Sequence, residues 1–159
     1  MDGDYKFGIE EELFVVDRAS GNLIRRMSPA LQRALRQQVG PAFKPELLQC
    51  QIELVSPILD SVAAAREHLI DSRGAVFDST ARYGLGVIAA GTHPFAQWPD
   101  QNRTDSPRYE EVADDLQLLA RRNILCGLHV HVALPDPDRR IEIMRRLQPF
   151  LPVVLGLSA

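Results

Sequence analysis

Three short apolar stretches of this chain carry carboxylates, an amide or imidazoles at alternate positions, a spacing that fits β-strands. They are Gly8-Ile9-Glu10-Glu11-Glu12-Leu13, Gln51-Ile52-Glu53-Leu54-Val55 and Gly127-Leu128-His129-Val130-His131-Val132. Successive side chains of a strand point to opposite faces, so Glu10 with Glu12, Gln51 with Glu53 and His129 with His131 each share a face. Ile52, Leu54, Leu128, Val130 and Val132 then point the other way. If the three strands lie in one sheet, one face is a core and the other a polar wall of glutamates and histidines. Such a wall is suited to holding divalent metal ions.

The rest of the chain places these strands among helices. Residues 5–16 read as the first strand and residues 17–22 as a turn, followed by a short strand at Leu23-Ile24. Ser28 before Pro29 opens a helix that runs to about Gln38, where Val39-Gly40-Pro41 ends it. Residues 46–57 read as the second long strand. Asp60-Ser61 then caps a long helix with Val62, Leu69, Ile70, Val76 and Phe77 on its apolar side and Gly84 at its end. Residues 85–90 read as a buried strand, and residues 92–107 as a polar loop of the kind that shapes a site. Residues 108–122 are amphipathic, with Tyr109, Val112, Leu116 and Leu119 at helical spacing. Residues 123–134 make the third long strand, and Pro135-Asp136-Pro137 turns it into a last helix through Arg146. The apolar segment 150–157 has nothing after it to cover it, which predicts a fragment or a half that needs a partner surface. Strands joined by both short turns and helices indicate an α+β or mixed α/β domain.

A length of 159 residues is one domain's worth of chain. With 45% hydrophobic and 25% charged residues it has the composition of a soluble globular protein. A net charge of −3 gives no reason to expect a nucleic-acid partner. No apolar run is long enough to span a bilayer, and the acidic start does not read as a signal peptide. Cys50 and Cys126 match no zinc or redox spacing. They read as core thiols on the apolar face with Ile52 and Leu128, in a reducing cytoplasm. There is no P-loop, no dinucleotide-binding glycine motif and no serine-hydrolase elbow.

Several residues can carry chemistry. Glu10, Glu11 and Glu12 alone could be an acidic edge strand kept soluble by charge. Their flanks are so apolar that a central strand fits better, and two same-face carboxylates there repel unless a cation sits between them. A hard ion such as Mg²⁺ or Mn²⁺ takes oxygen ligands and resolves that conflict. Glu53 is the sole charge in the run 47–57. Glu46 would lie on the opposite face of a regular strand, and joins the site only through a bulge or by preceding the strand. His129 and His131 together can ligate metal or bind a phosphoryl group, and Gly127 before them permits close approach to the backbone. Gly91-Thr92-His93-Pro94 ends a strand where a ligand-contacting loop or a plain turn fits equally. His68 reads as a surface residue.

At these residues the sequence resembles the carboxylate–amine ligase family, also called glutamate–cysteine ligase type 2. The resemblance runs in order through Gly-Ile-Glu-Glu-Glu-Leu, Gln-Ile-Glu-Leu-Val-Ser-Pro, Ala-Ala-Gly-Thr-His-Pro-Phe-Ala and Cys-Gly-Leu-His-Val-His-Val to the final Leu-Pro-Val-Val-Leu-Gly-Leu-Ser-Ala. It implies a glutamine-synthetase-like catalytic domain, with an antiparallel sheet, helices on one face, and Mg²⁺ (or Mn²⁺) and ATP on the other. Residues 1–159 would form a single domain, the N-terminal part of a longer ligase catalytic domain. By the same resemblance Glu10, Glu12, Glu46 and Glu53 match metal-site residues. His129 matches a histidine near the metal and the transferring phosphate, and His131 lies beside it at the cofactor. The implied reaction is ATP-dependent γ-glutamyl amide formation from L-glutamate and L-cysteine, or another amine, in a cytoplasmic homodimer of glutathione biosynthesis. An inactive assembly piece and a metal-dependent hydrolase are the alternatives. Family members continue into a Trp-x-Gly-Arg-Asp-type segment that this chain lacks, so the chain alone is expected to have little ligase activity.

Overall fold

The computed structural model describes residues 5–105 and 124–158. Its centre is β1 (Phe7–Asp17), an eleven-residue strand. Around it lie β2 (Phe43–Pro45), β3 (Gln51–Val55), β4 (Leu85–Ile88) and β5 (Leu128–Val132). All pairings are antiparallel, in the order β2-β3-β1-β4. β5 shares an edge of β1 with β4, pairing with its first half through Phe7↔Val132 to Glu11↔Leu128. The two long helices pack on one face of the sheet, an α+β arrangement.

Helix α1 (Pro29–Gln38) begins as its sequence predicts, with the Ser28 hydroxyl accepting a hydrogen bond from the Leu31 N–H. It lowers Leu31 and Leu35 onto Leu13 and Val15 of β1 and Ile52 and Leu54 of β3, together with Met27, Phe43 and Val76. Helix α2 (Val62–Ala81), capped by Ser61, covers the same face differently from expectation. Val76 is buried, but Val62, Ile70 and Phe77 are exposed. Its inward positions are mostly small or hydroxylic, including Ala65, Ser72, Ser79 and Thr80. The buried hydroxyls of Ser72, Ser79 and Thr80 donate to carbonyls one turn back, which satisfies them without an outside partner.

Several predicted elements change. The strand expected over residues 46–57 is only the later part of a β2–β3 hairpin, with an irregular turn over 46–50 and regular strand from Gln51 to Val55. The stretch at Leu23 forms one bridge, to Val16. Leu85–Ile88 is half-buried rather than sealed. The amphipathic segment 108–122 lies outside the described residues. Beyond β5, α3 (Arg140–Leu147) and α4 (Leu151–Ser158) expose their apolar side chains, among them Ile141, Val154 and Leu157, as does Phe150 in the turn between them.

The cysteines are buried and reduced, but not where alternation placed them. Cys50 and Cys126 join Phe14, Leu48 and Ile124 in a second cluster. Phe14 has the parity of Glu10 and Glu12, so this cluster closes one end of the polar face. Burial pushes both thiols up to about 12, which keeps them protonated and unreactive.

Candidate metal and phosphate site

The polar wall assembles across three strands. Glu12 lies directly opposite Glu53 in the β1–β3 register, and Glu10 directly opposite His129 in the β1–β5 register. Directly paired residues share a face, so Glu10, Glu12, Glu53, His129 and His131 stand on one side of the sheet. Glu46 reaches the same place because it precedes β3, in the turn of the hairpin, where its carboxyl shares a hydrogen bond with that of Glu53. Lys44, opposite Glu53 in register, has the same parity. Gln51 is buried at the end of the wall, and its amide donates to the Leu125 carbonyl at 2.5 Å and to Cys126 Sγ at 3.2 Å.

Two subregions differ in electrostatics. At the β1–β5 seam the Glu10 carboxylate accepts from His131 Nε2 at 2.9 Å and lies 3.5 Å from His129 Nδ1. The hydrogen bond with His131 holds the Glu10 carboxyl below its usual range, against a smaller opposing effect of burial. One donor atom from each of Glu10, His129 and His131 lies within 4.8 Å of the others, a spacing that one cation can bridge. At the β1–β3 seam the carboxylates crowd each other. Burial first, then the hydrogen bond and charge of Glu46, push Glu53 up to about 7. Burial also raises Glu12, partly offset by the Gly127 N–H that donates to its Oε2 at 2.9 Å. Clustered oxygen donors that resist ionising together fit a hard divalent cation, whose charge would remove the repulsion.

Gly127 matters for a specific reason. A Cβ there would lie 2.7 Å from His129 Nε2, so the imidazole folds back over the glycine. The Gly127 carbonyl also accepts from the Glu12 N–H at 2.9 Å, so this residue ties β5 to the carboxylate seam from both its backbone groups.

Other candidates are resolved differently. Glu11 faces the helices, 2% exposed, and is gripped by Arg73 of α2. His93 is buried against Phe14 and Phe95, and its Nε2 pairs with the Gly21 carbonyl at 2.9 Å, which makes it a loop anchor. His68 is not a plain surface residue: its Nε2 is out of solvent and finds no hydrogen-bond partner among the described residues. Leu128, Val130 and Val132, expected in the core, are 51%, 56% and 54% exposed. Helices α1 and α2 cover β3 and β1 but not β5. Arg73 is the residue that sequence alone missed; a basic residue in a helix with small inward neighbours was its only signal.

Comparison with solved structures defines the class of fold. The Francisella tularensis glutamate–cysteine ligase, crystallised in complex with AMP, superposes over 91% of this chain and 30% of its own, with a TM-score of 0.64 at 17% identity. A bifunctional glutathione synthetase from Pasteurella multocida covers 89% of this chain and 18% of its own, with a TM-score of 0.61 at 18% identity. The family model of glutamate-cysteine ligase family 2 matches residues 6–159, and the chain belongs to that family. Relatives from Paracoccus denitrificans and Bradyrhizobium sp. (strain ORS 278) are 40% and 42% identical over 156 residues, 98% of this chain. Both carry the name "Putative glutamate--cysteine ligase 2". The chain spans 41% and 38% of the length of these two relatives.

Proposed function

We propose that this chain supplies one wall of the active site of an ATP- and Mg²⁺-dependent carboxylate–amine ligase that joins L-glutamate to L-cysteine or another amine. The observation that carries the reading is the clustering of Glu12, Glu46 and Glu53, in which burial first and neighbouring carboxylates second raise Glu12 and Glu53, next to Glu10 and two histidines in a member of this family. Glu10, Glu12, Glu46 and Glu53 would hold Mg²⁺ or Mn²⁺, which when bound neutralises phosphate oxygens during transfer. His129 and His131 would face the transferring phosphoryl group. In the reaction the glutamate side-chain carboxylate takes the γ-phosphoryl group of ATP, giving an acyl phosphate and ADP. The amine then attacks the acyl carbon, phosphate leaves, and the amide forms with loss of a proton from nitrogen. The wall's task is to hold two anions together, with preplaced charge offsetting their repulsion.

The same reading makes the 159 residues the N-terminal part of a longer catalytic domain, working in the cytoplasm as a homo-oligomer. The share of the relatives' length that the chain spans supports the first point, and two buried free thiols are compatible with the second. Among the described residues no helix is long and apolar enough to cross a membrane. A second reading, an assembly piece that needs further polypeptide before it can act, is favoured by the exposed apolar faces of β5, α3 and α4.

Mn²⁺ titration of the 159-residue chain, followed by electron paramagnetic resonance, tests the site. Glu53→Gln and His129→Ala should each weaken binding without loss of the cooperative melt. Phosphate release with ATP, glutamate and cysteine should be weak here and robust in a protein of the relatives' full length. Wild-type Mn²⁺ binding in both variants would overturn the metal assignment. Ester or phosphate hydrolysis without ATP would replace the ligase with a metal-dependent hydrolase.

A further inference from the structure

The run Glu10-Glu11-Glu12 sends its outer two carboxylates to the polar face and its middle one into the opposite side of the sheet. A carboxylate only 2% exposed has to be paired, because burial penalises the charged form heavily. Its partner is Arg73 from the middle of α2. Arg73 Nε lies 3.1 Å and 2.8 Å from the two Glu11 oxygens, and Nη2 also donates to Oε1. The remaining described pairs between arginine and carboxylate join exposed groups: Arg25 with Asp100, and Arg139 and Arg146 with Glu142. Among described ion pairs, Glu11–Arg73 alone joins the sheet to a helix through a buried carboxylate.

We propose that Arg73 is a positioning residue for the site: through Glu11 it fixes the register and height of β1, and so the presentation of Glu10 and Glu12. The inference rests on the metal reading above for its functional meaning, and on the ion pair for its geometry. Strand side chains alternate strictly, so a one-residue slip of β1 would turn Glu11 to the polar face and Glu10 and Glu12 to the helices. There two carboxylates would compete for one guanidinium. The fork geometry of the guanidinium adds direction, since two donors to one carboxylate fix an angle as well as a distance. Helix α2 can serve as the anchor because it is capped by Ser61, spans twenty residues and rests on the core through Val76, three positions beyond Arg73. The arginine itself is 48% exposed, beside a cavity of about 560 Å³ lined also by Leu128, Val130 and Val154. It can therefore be altered without burying a new charge.

The test replaces the pair by apolar residues, Glu11→Leu with Arg73→Met, and separately makes Arg73→Lys, which keeps the charge and loses the fork. Both are compared with the wild-type chain by thermal melting, by amide exchange at Gly127 without metal, and by Mn²⁺ titration. Gly127 reports the site because its N–H donates to Glu12. The expected result is a cooperative melt in the double variant, Gly127 exchange about tenfold faster, and Mn²⁺ affinity about tenfold weaker or more. Arg73→Lys should fall between. If the wild type binds no Mn²⁺ but Gly127 exchange still accelerates in the variants, the metal reading fails and the positioning role stands. Folded variants with wild-type Gly127 exchange and wild-type Mn²⁺ titration would overturn it. If the double variant does not fold, the Arg73→Lys measurements alone decide by the same criteria.

Discussion

Where β1 meets β3, its inner face carries Leu13, Val15, Ile52 and Leu54 sealed beneath α1 and α2. Where it meets β5, the same face carries Leu128, Val130 and Val132 about half exposed. Both seams have the same strand pattern and the same antiparallel pairing. On this inner face they differ in what packs on them. The candidate site straddles the two, with Glu12, Glu46 and Glu53 from the packed side and His129 and His131 from the open one. Glu10 is paired to both strands, opposite Val55 on one side and His129 on the other. A rigid carboxylate half and a loosely supported imidazole half follow from this, because order at a site depends on the packing behind it.

The largest effect should come from the packed side. Leu35→Ala should lower unfolding free energy by about 2–5 kcal/mol in urea titration, since the residue is fully buried in the main apolar cluster and its truncation leaves a cavity. An effect as small as that of a surface change would mean that the two halves do not differ.

Next comes the carboxylate seam, through pH. Glu53 has its folded value raised from 4.5 to about 7, so in this window the unfolded chain has already lost a proton that the folded chain keeps. Metal-free stability should therefore fall as pH rises from 4.5 towards 7, and then level off. Glu53→Gln should flatten that part of the profile relative to wild type. Saturating Mn²⁺ should restore wild-type stability above pH 7 but not that of the variant. A wild-type slope in Glu53→Gln would place the strain elsewhere.

Gly127→Ala should act on the site more than on the fold. Its methyl group must displace the exposed His129 ring, while stability changes by about 1 kcal/mol or less. The imidazole resonances of His129 should shift and those of His93, buried on the far loop, should not. Unmoved His129 signals would show that the ring does not lie over the glycine.

The smallest effects belong to the open half. Val132→Thr and Leu157→Ser should each change stability by no more than about 0.5 kcal/mol, because both side chains already meet water. Losses comparable with Leu35→Ala would show that this surface is covered in solution, for example by a second copy. A concentration-dependent melting temperature would then identify the cover as self-association.

Much of this was legible without coordinates, and the reasons for what was not are specific. Alternation correctly set Glu10, Glu12, Glu53, His129 and His131 on one face, because side-chain parity is a property of the backbone. The Ser28-Pro29 and Ser61 helix starts were equally local. Glu46 could not be placed, since its route to Glu53 depends on the hairpin turn over 46–50 rather than on strand parity. Nor could parity foresee that Cys50 and Cys126 would pack with Phe14 at the end of the polar face.

By itself, then, the sequence determined the two faces of the strands through short-range spacing and the resemblance to a ligase family through motif order. Spacing left α+β and mixed α/β both open, and the antiparallel plan came only with the resemblance. Only the tertiary structure decided which apolar side chains are covered, where Glu46 arrives, and that Glu11 is locked to Arg73 across the sheet. Those outcomes depend on contacts between residues far apart in the chain, where packing, desolvation and charge pairing act together and no local period records them.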